Sequence, residues 1–257
     1  MHYVSSGQGE AVLLIHGLFG NLDNLKNLAN VLEQQYQVIR VDVPNHGLSE
    51  HWPSMDYPQL ADAMIDILDD LQIKHAHVVG HSMGGKIAMA MALLHPERVT
   101  SLVVADIAPV AYSPRHQTVI AGLSSLVLNN HTTRKSALRH LMDAGIDEST
   151  SQFLLKNLQR TDTGFEWKMN LNGLIKSYDR IIGWDLPLSS HDQFNKPALF
   201  IRGGESNYVT AEHRDAIMSQ FPQASSKTLN GTGHWLHAQK PEIFNRIVVE
   251  FIGQNQG

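Results

Sequence analysis

Short apolar runs alternate along this chain with stretches whose apolar residues recur every three or four positions. AVLLI (11–15) is wholly apolar and stops at His16-Gly17, as a strand buried on both faces would. Residues 21–34 follow with Leu22, Leu25, Leu28, Ala29 and Leu32 on one helical face. YQVIRVDV (36–43) predicts a second strand, and residues 58–71 a helix presenting Leu60, Ala61, Met64, Ile65, Leu68 and Leu71. HAHVVG (75–80) predicts a strand, 84–94 a helix and VTSLVVAD (99–106) another strand. Later come strands at PALFIRG (197–203) and SSKTLNG (225–231), with a helix near 211–220 between them. A final helix starts at Pro241, a residue suited to a first helical turn. Strands alternating with helices imply βαβ units and a mostly parallel sheet covered on both faces.

Residues 107 to about 190 break this rhythm. They connect two strands yet run for roughly 80 residues, where such connections usually take about 2–6. Four apolar stripes at helical spacing lie inside: Val119, Ile120, Leu123, Leu126 and Val127; Leu138, Leu141 and Met142; Phe153, Leu154 and Leu158; and Leu171, Leu174, Ile175, Tyr178 and Ile182. The expectation is a helical lid at 110–190, inserted into a core made of 1–109 and 191–257. Ligands of open α/β sheets bind at the carboxyl ends of the strands, which is where such a lid would sit. The bland alternative is a small bundle that only stabilises the core.

Composition narrows the class. The 257 residues suit one large domain or one domain with an insertion. With 42% hydrophobic and 18% charged residues, the chain can bury a core. A net charge of -5 argues against a general nucleic-acid binder. The absence of cysteine excludes disulfides, thiolate metal sites and a cysteine nucleophile. The first residues lack a basic region before their apolar run, and that run breaks at His16, so neither a signal peptide nor a membrane span is expected. The expected location is the cytoplasm.

The chemistry centres on Gly80-His81-Ser82-Met83-Gly84, which fits G-x-S-x-G. A serine on a sharp strand-to-helix turn costs of order 1–3 kcal/mol in backbone strain. The strand and helix then approach so closely that the residues two before and two after must lack bulk. The turn lifts the hydroxyl above a helix N-terminus, whose free N–H groups favour developing negative charge. Alone the motif is weak, and an ordinary turn is the alternative. Its context strengthens it, because a buried strand precedes it and a helix-compatible AMAMAL run follows.

Ile15-His16-Gly17-Leu18-Phe19-Gly20 ends the first core strand and emerges on the same sheet edge. The N–H groups of Met83 and Leu18 are the candidate oxyanion donors, with Phe19 as the alternative to Leu18. His16, Gly17, Phe19, His81 and Trp235 flank these loops and are the expected substrate contacts. The chain has 15 histidines, so presence alone proves nothing. His234 stands out because Asn230-Gly231-Thr232-Gly233-His234 follows the last strand and can bend over the edge; His237 is the fallback. For the orienting acid, Asp106 and Glu205 both lie at strand ends on the correct edge, and position alone does not separate them.

With these pieces in place, the chain resembles the α/β-hydrolase superfamily, and most of all the bacterial YbfF-type esterases and their mitochondrial ABHD-type relatives. HGLFGNLDNL (16–25), VDVPNHGLSE (41–50), GHSMGGK (80–86), ADIAP (105–109) and GTGHWLHAQKPE (231–242) carry the resemblance. It implies an esterase acting on short acyl esters, with acyl-CoA thioesters also proposed as substrates. It also implies Asp106 as the acid, since relatives commonly hold asparagine where this chain has Glu205. A further departure is Val-Pro-Asn-His (43–46), where relatives often have arginine before the asparagine.

The mechanism expected is two-step acyl transfer by Ser82, His234 and Asp106, with neither metal nor organic cofactor. The partner expected is a small acyl ester or thioester, with a homodimer allowed by the lid's apolar stripes. Two rivals remain at this stage. One is a lyase with the same three residues, like the menaquinone-pathway enzyme. The other is a non-catalytic binding protein of the same fold.

Overall fold

The computed structural model describes residues 1–162, 164–189 and 192–256. Its centre is a seven-stranded sheet in the order β1-β3-β2-β4-β5-β8-β9. The strands are β1 (Tyr3–Ser6), β2 (Ala11–Ile15), β3 (Gln37–Val41), β4 (Ala76–His81), β5 (Val99–Ala105), β8 (Ala198–Gly203) and β9 (Ala224–Leu229). All neighbours pair in parallel except β1, which runs antiparallel to β3 at one edge. The sequence pattern did not predict β1, whose four residues are all partly or fully exposed.

Strand alternation sorts the core into two layers. Leu13, Ile15, Val78, Leu102 and Val104 face one side, against α2 (Tyr57–Asp70) and α3 (Met83–Leu94). Val12, Leu14, Val79, Val103 and Leu199 face the other, against α1 (Lys26–Leu32) and α11 (Pro241–Gly253). Between β8 and β9 runs α9 (Arg214–Gln220), and a short α10 (Leu236–Gln239) precedes α11. The single helix predicted at 21–34 begins instead as a 3-10 turn at Leu22–Leu25. There Asn21 and Asn24 exchange side-chain hydrogen bonds with each other's backbone, and the Leu22 N–H is taken by Asp42 Oδ1 at 2.8 Å.

The residues between β5 and β8 build α4 (Gln117–Ser125), α5 (Arg134–Asp143), α6 (Glu148–Leu154), α7 (Leu171–Lys176) and α8 (Tyr178–Ile182). They also contain an antiparallel hairpin, β6 (Leu158–Thr161) with β7 (Gly164–Trp167), which the helical stripes did not foresee. Leu158 therefore opens a strand rather than closing a helical stripe. Leu126 and Val127 lie beyond the end of α4, and Val127 is 73% exposed. The boundary expected between 190 and 191 falls outside the described residues.

Side-chain hydrogen bonds tie this insertion to the core. Lys86, fully buried on α3, donates through Nζ to the carbonyls of Ile182 and Gly183 at 2.9 and 2.7 Å. Its ammonium also lies 4.9 Å from the Tyr112 ring centroid and 5.6 Å from that of Tyr57. Burial pushes its pKa down to about 7. No helix of the described residues is long and apolar enough to cross a membrane.

Candidate active site

Ser82 sits between β4 and α3 with φ +54° and ψ −122°. Its flanking glycines answer to a crowding of backbones. A Cβ on Gly80 would lie 2.1 Å from the Gly84 carbonyl oxygen, and one on Gly84 would lie 2.2 Å from that of Ile15. No side chain can relieve either contact, because the obstructing atoms are main chain. Ser82 N–H bonds to Ala105 O at 2.9 Å, which locks the turn to β5.

His234 arrives on the loop after β9 and meets Ser82 at 2.9 Å, Nε2 to Oγ. Its Nδ1 lies 2.8 Å from Asp106 Oδ2, so Nδ1–H donates to the carboxylate and leaves Nε2 free to take the hydroxyl proton. Asp106 is fully buried at the end of β5, with φ +53°. Its Oδ1 accepts from Gly203 N–H at 3.0 Å, and its Oδ2 also accepts from the Ser206 hydroxyl. Glu205 is exposed, and no hydrogen bond joins it to His234; its own N–H donates to Thr232 O at 2.9 Å. The geometry thus places Asp106, and not Glu205, behind the imidazole. His237 points away from Ser82 into a buried aromatic cluster, 4.3 Å from the His81 ring and 6.0 Å from that of Phe244. Burial holds it neutral, with a pKa near 3.

The Gly17–Leu18 peptide is oriented by its carbonyl. Gly17 O accepts from His16 Nδ1–H at 2.8 Å and from Gly20 N–H at 3.0 Å. A trans peptide is planar, so the Leu18 N–H must face the opposite way. Among the described residues neither Leu18 N–H nor Met83 N–H has a hydrogen-bond partner, and both residues line a cleft with Ser82. The alternative donor, Phe19 N–H, is already spent on His46 Nε2 at 3.1 Å. His16 is likewise corrected from substrate contact to loop brace. It is 1% exposed, lines neither cleft beside Ser82, and its Nε2 accepts from Val43 N–H at 3.0 Å.

Two clefts meet at Ser82. One runs under the insertion, walled by Val119, Phe153, Leu154 and Trp235, with Gly17, Phe19 and His81 along its floor. The Phe153 and Trp235 rings touch, at 4.2 Å between centroids. The second is lined by Met83, Ile107, Tyr112, Ile181, Ile182 and Tyr208, with exposed Arg115 beside them. His116 borders both, and burial lowers its pKa to about 4. A hydroxyl at the junction of two largely apolar clefts, with an imidazole in reach, can attack a carbonyl whose two substituents lie one in each.

A family model described as alpha/beta hydrolase fold matches residues 10–241. The chain belongs to this family. It is 41% identical over 243 residues to the esterase YbfF of Escherichia coli (strain K12), covering 94% of this chain and 92% of that protein. It is 35% identical over 250 residues to the sn-1-specific diacylglycerol lipase ABHD11 of Mus musculus, covering 94% and 80%. Among solved structures, a marine microorganism esterase superimposes with a TM-score of 0.93 at 34% identity, covering 97% of this chain and 98% of that one.

Sequence reasoning missed three residues of this α/β hydrolase's site. Ser206 donates to Asp106, and the Gly-Gly-x-Ser stretch after β8 was its only signal. Tyr208 stacks on the His234 ring at 3.8 Å and 18° between planes. Asn157, from the insertion, donates to Phe19 O at 2.6 Å. Nothing in the local sequence of either Tyr208 or Asn157 announces these contacts.

Proposed function

We propose that the chain is a serine carboxylic ester hydrolase that cleaves short-chain acyl esters through an acyl-enzyme. One observation carries the reading: the continuous line from Ser82 Oγ through the His234 ring to buried Asp106. Ser82 attacks the acyl carbonyl as His234 Nε2 takes its proton. Asp106 fixes the imidazole tautomer and stabilises the imidazolium. The Leu18 and Met83 N–H groups receive the oxyanion, each such donor being worth about 2.7–4 kcal/mol in the transition state. His234 then returns its proton to the leaving alcohol or thiol and activates the water that frees the acid. The names of the relatives, an esterase and a diacylglycerol lipase, support ester cleavage. The contact between Phe153 and Trp235 narrows the cleft under the insertion and supports short acyl chains.

The test is a p-nitrophenyl ester chain-length series run beside an acyl-CoA series, on wild type and Ser82→Ala. The expected result is turnover of short esters by wild type and a loss of at least about 10⁴-fold in Ser82→Ala. Ester cleavage that survives Ser82→Ala would remove the nucleophile assignment. The acyl-CoA series decides whether thioesters join the substrate range.

A further inference from the structure

The oxyanion loop is held by three side chains that grip consecutive peptides. His16 holds the Gly17 carbonyl and His46 holds the Phe19 N–H, both from the core. His46 is fully buried and keeps its proton on Nδ1, which donates to Pro44 O at 3.0 Å, so Nε2 is a fixed acceptor. The third grip comes from the insertion. Asn157 Nδ2 donates to the Phe19 carbonyl at 2.6 Å, across 138 residues of sequence. Phe19 itself stands at φ +60°, a conformation it holds only while its surroundings impose it.

Asn157 is in turn fixed on its own side. It is 1% exposed, and its carbonyl accepts from Lys168 N–H at 2.8 Å. Arg134 brackets it, donating to Leu155 O at 2.8 Å and to Leu158 O at 2.7 Å. Its Nδ2 also donates to Leu154 O at 3.3 Å, within its own turn. Among the described residues its Oδ1 has no hydrogen-bond partner, so the amide acts through its donor end, with the shorter bond going to Phe19. It also closes the element that begins with α6, whose Phe153 and Leu154 wall the cleft.

We propose that Asn157 is a positioning residue for the oxyanion hole: by fixing the Phe19 carbonyl it aims the Leu18 N–H, so the insertion completes the catalytic loop as well as covering it. The inference rests on the serine hydrolase reading. Asn157→Asp keeps the size but replaces the donor with an acceptor facing a carbonyl. Asn157→Leu removes the donor outright. Both are expected to lower kcat by about 10- to 100-fold, the scale of an ångström-level misplacement, with KM within about 3-fold.

The affinity for a trifluoromethyl ketone, which occupies the site as a tetrahedral oxyanion, is expected to fall by the same factor as kcat/KM. The pH midpoint that reports His234 stays where it is in wild type. A merely structural Asn157 would lower the melting temperature and raise KM, leaving the ketone's relative affinity unchanged. That outcome overturns the proposal, as does kcat within about 3-fold of wild type in either variant that remains folded. Labelling of Ser82 by a fluorophosphonate separates the two levels. If wild type labels and the Asn157 variants behave as wild type, only the positioning role is lost. If wild type neither labels nor depends on Ser82, the hydrolase reading is lost and this inference with it.

Discussion

The floor and the roof of the site are made in different ways. The floor is main chain under constraint: Ser82, Asp106 and Phe19 hold φ near +54°, +53° and +60°, and Gly80 and Gly84 touch neighbouring backbone. Each strained residue costs about 1–3 kcal/mol, and the packed sheet beneath supplies the surroundings that keep it there. The roof, among the described residues, is short helices and a hairpin, fastened largely by side chains beside a main-chain bond from Asn170 N–H to Asn45 O at 2.9 Å. Lys86 holds Ile182 and Gly183; Asn170 Nδ2 donates to Asn45 Oδ1 at 2.9 Å; Ser177 Oγ accepts from Met55 N–H at 3.0 Å. On the proposed function, a floor built from backbone fixes the chemistry, and a roof held largely by exchangeable side chains leaves the substrate range adjustable.

The comparison breaks first, and hardest, at the acid. Asp106→Asn is expected to lower kcat by about 10³- to 10⁴-fold, because the amide no longer fixes the productive tautomer of His234. Glu205→Gln, on the same rim but without a contact to His234, is expected to stay within about 3-fold. Steady-state kinetics on the pair checks this, and a large loss in the Glu205 variant alone would reverse the assignment.

A roof change should move preference and leave the chemistry intact. Phe153→Ala opens the contact with Trp235 and is expected to shift the best p-nitrophenyl ester toward longer acyl chains. The ratio of kcat/KM between a longer and a shorter ester rises roughly 10-fold, the value of one or two methylenes gaining a wall. The rate of the shortest ester is the control; its collapse would mean that Phe153 serves the floor.

The last effect sits at the join and is read in stability, not in rate. Lys86 has a pKa near 7 in the fold against an ordinary value of 10.5, so between those values the unfolded chain binds the proton and the folded one does not. Stability contributed by this group therefore rises with pH across that window, by at most about 1.4 kcal/mol per unit, and is flat below it. Lys86→Met is expected to lose that rise. Urea unfolding at pH 7 and pH 9 on both proteins reads the difference, and parallel slopes would remove Lys86 as its source.

How far the sequence reached follows the same division. The floor was legible because its constraints are local and steric: a serine spaced between glycines, a strand ending in His16-Gly17, a glycine-flexed loop ahead of His234. Position alone left the acid open between two strand ends, and only the family resemblance favoured Asp106, because its burial and φ arise from packing that no spacing encodes. The roof was legible only as helix-forming stripes. Its hairpin, the end of α4 before Val127 and the reach of Asn157 to Phe19 depend on how short elements pack on the core, which amphipathic periodicity does not determine.

The hydrogen bond between Ser82 and His234 spans 152 residues, and that between Asp106 and His234 spans 128. Contacts of such separation pay for closing a long loop before they return anything. During synthesis from the N-terminus, the hydroxyl and the carboxylate emerge while the base is still unmade. On the proposed mechanism, an unfinished chain therefore carries Ser82 without its base. On that reading the order of residues along the chain is itself a safeguard, since Ser82 meets His234 only after the ninth strand has been made.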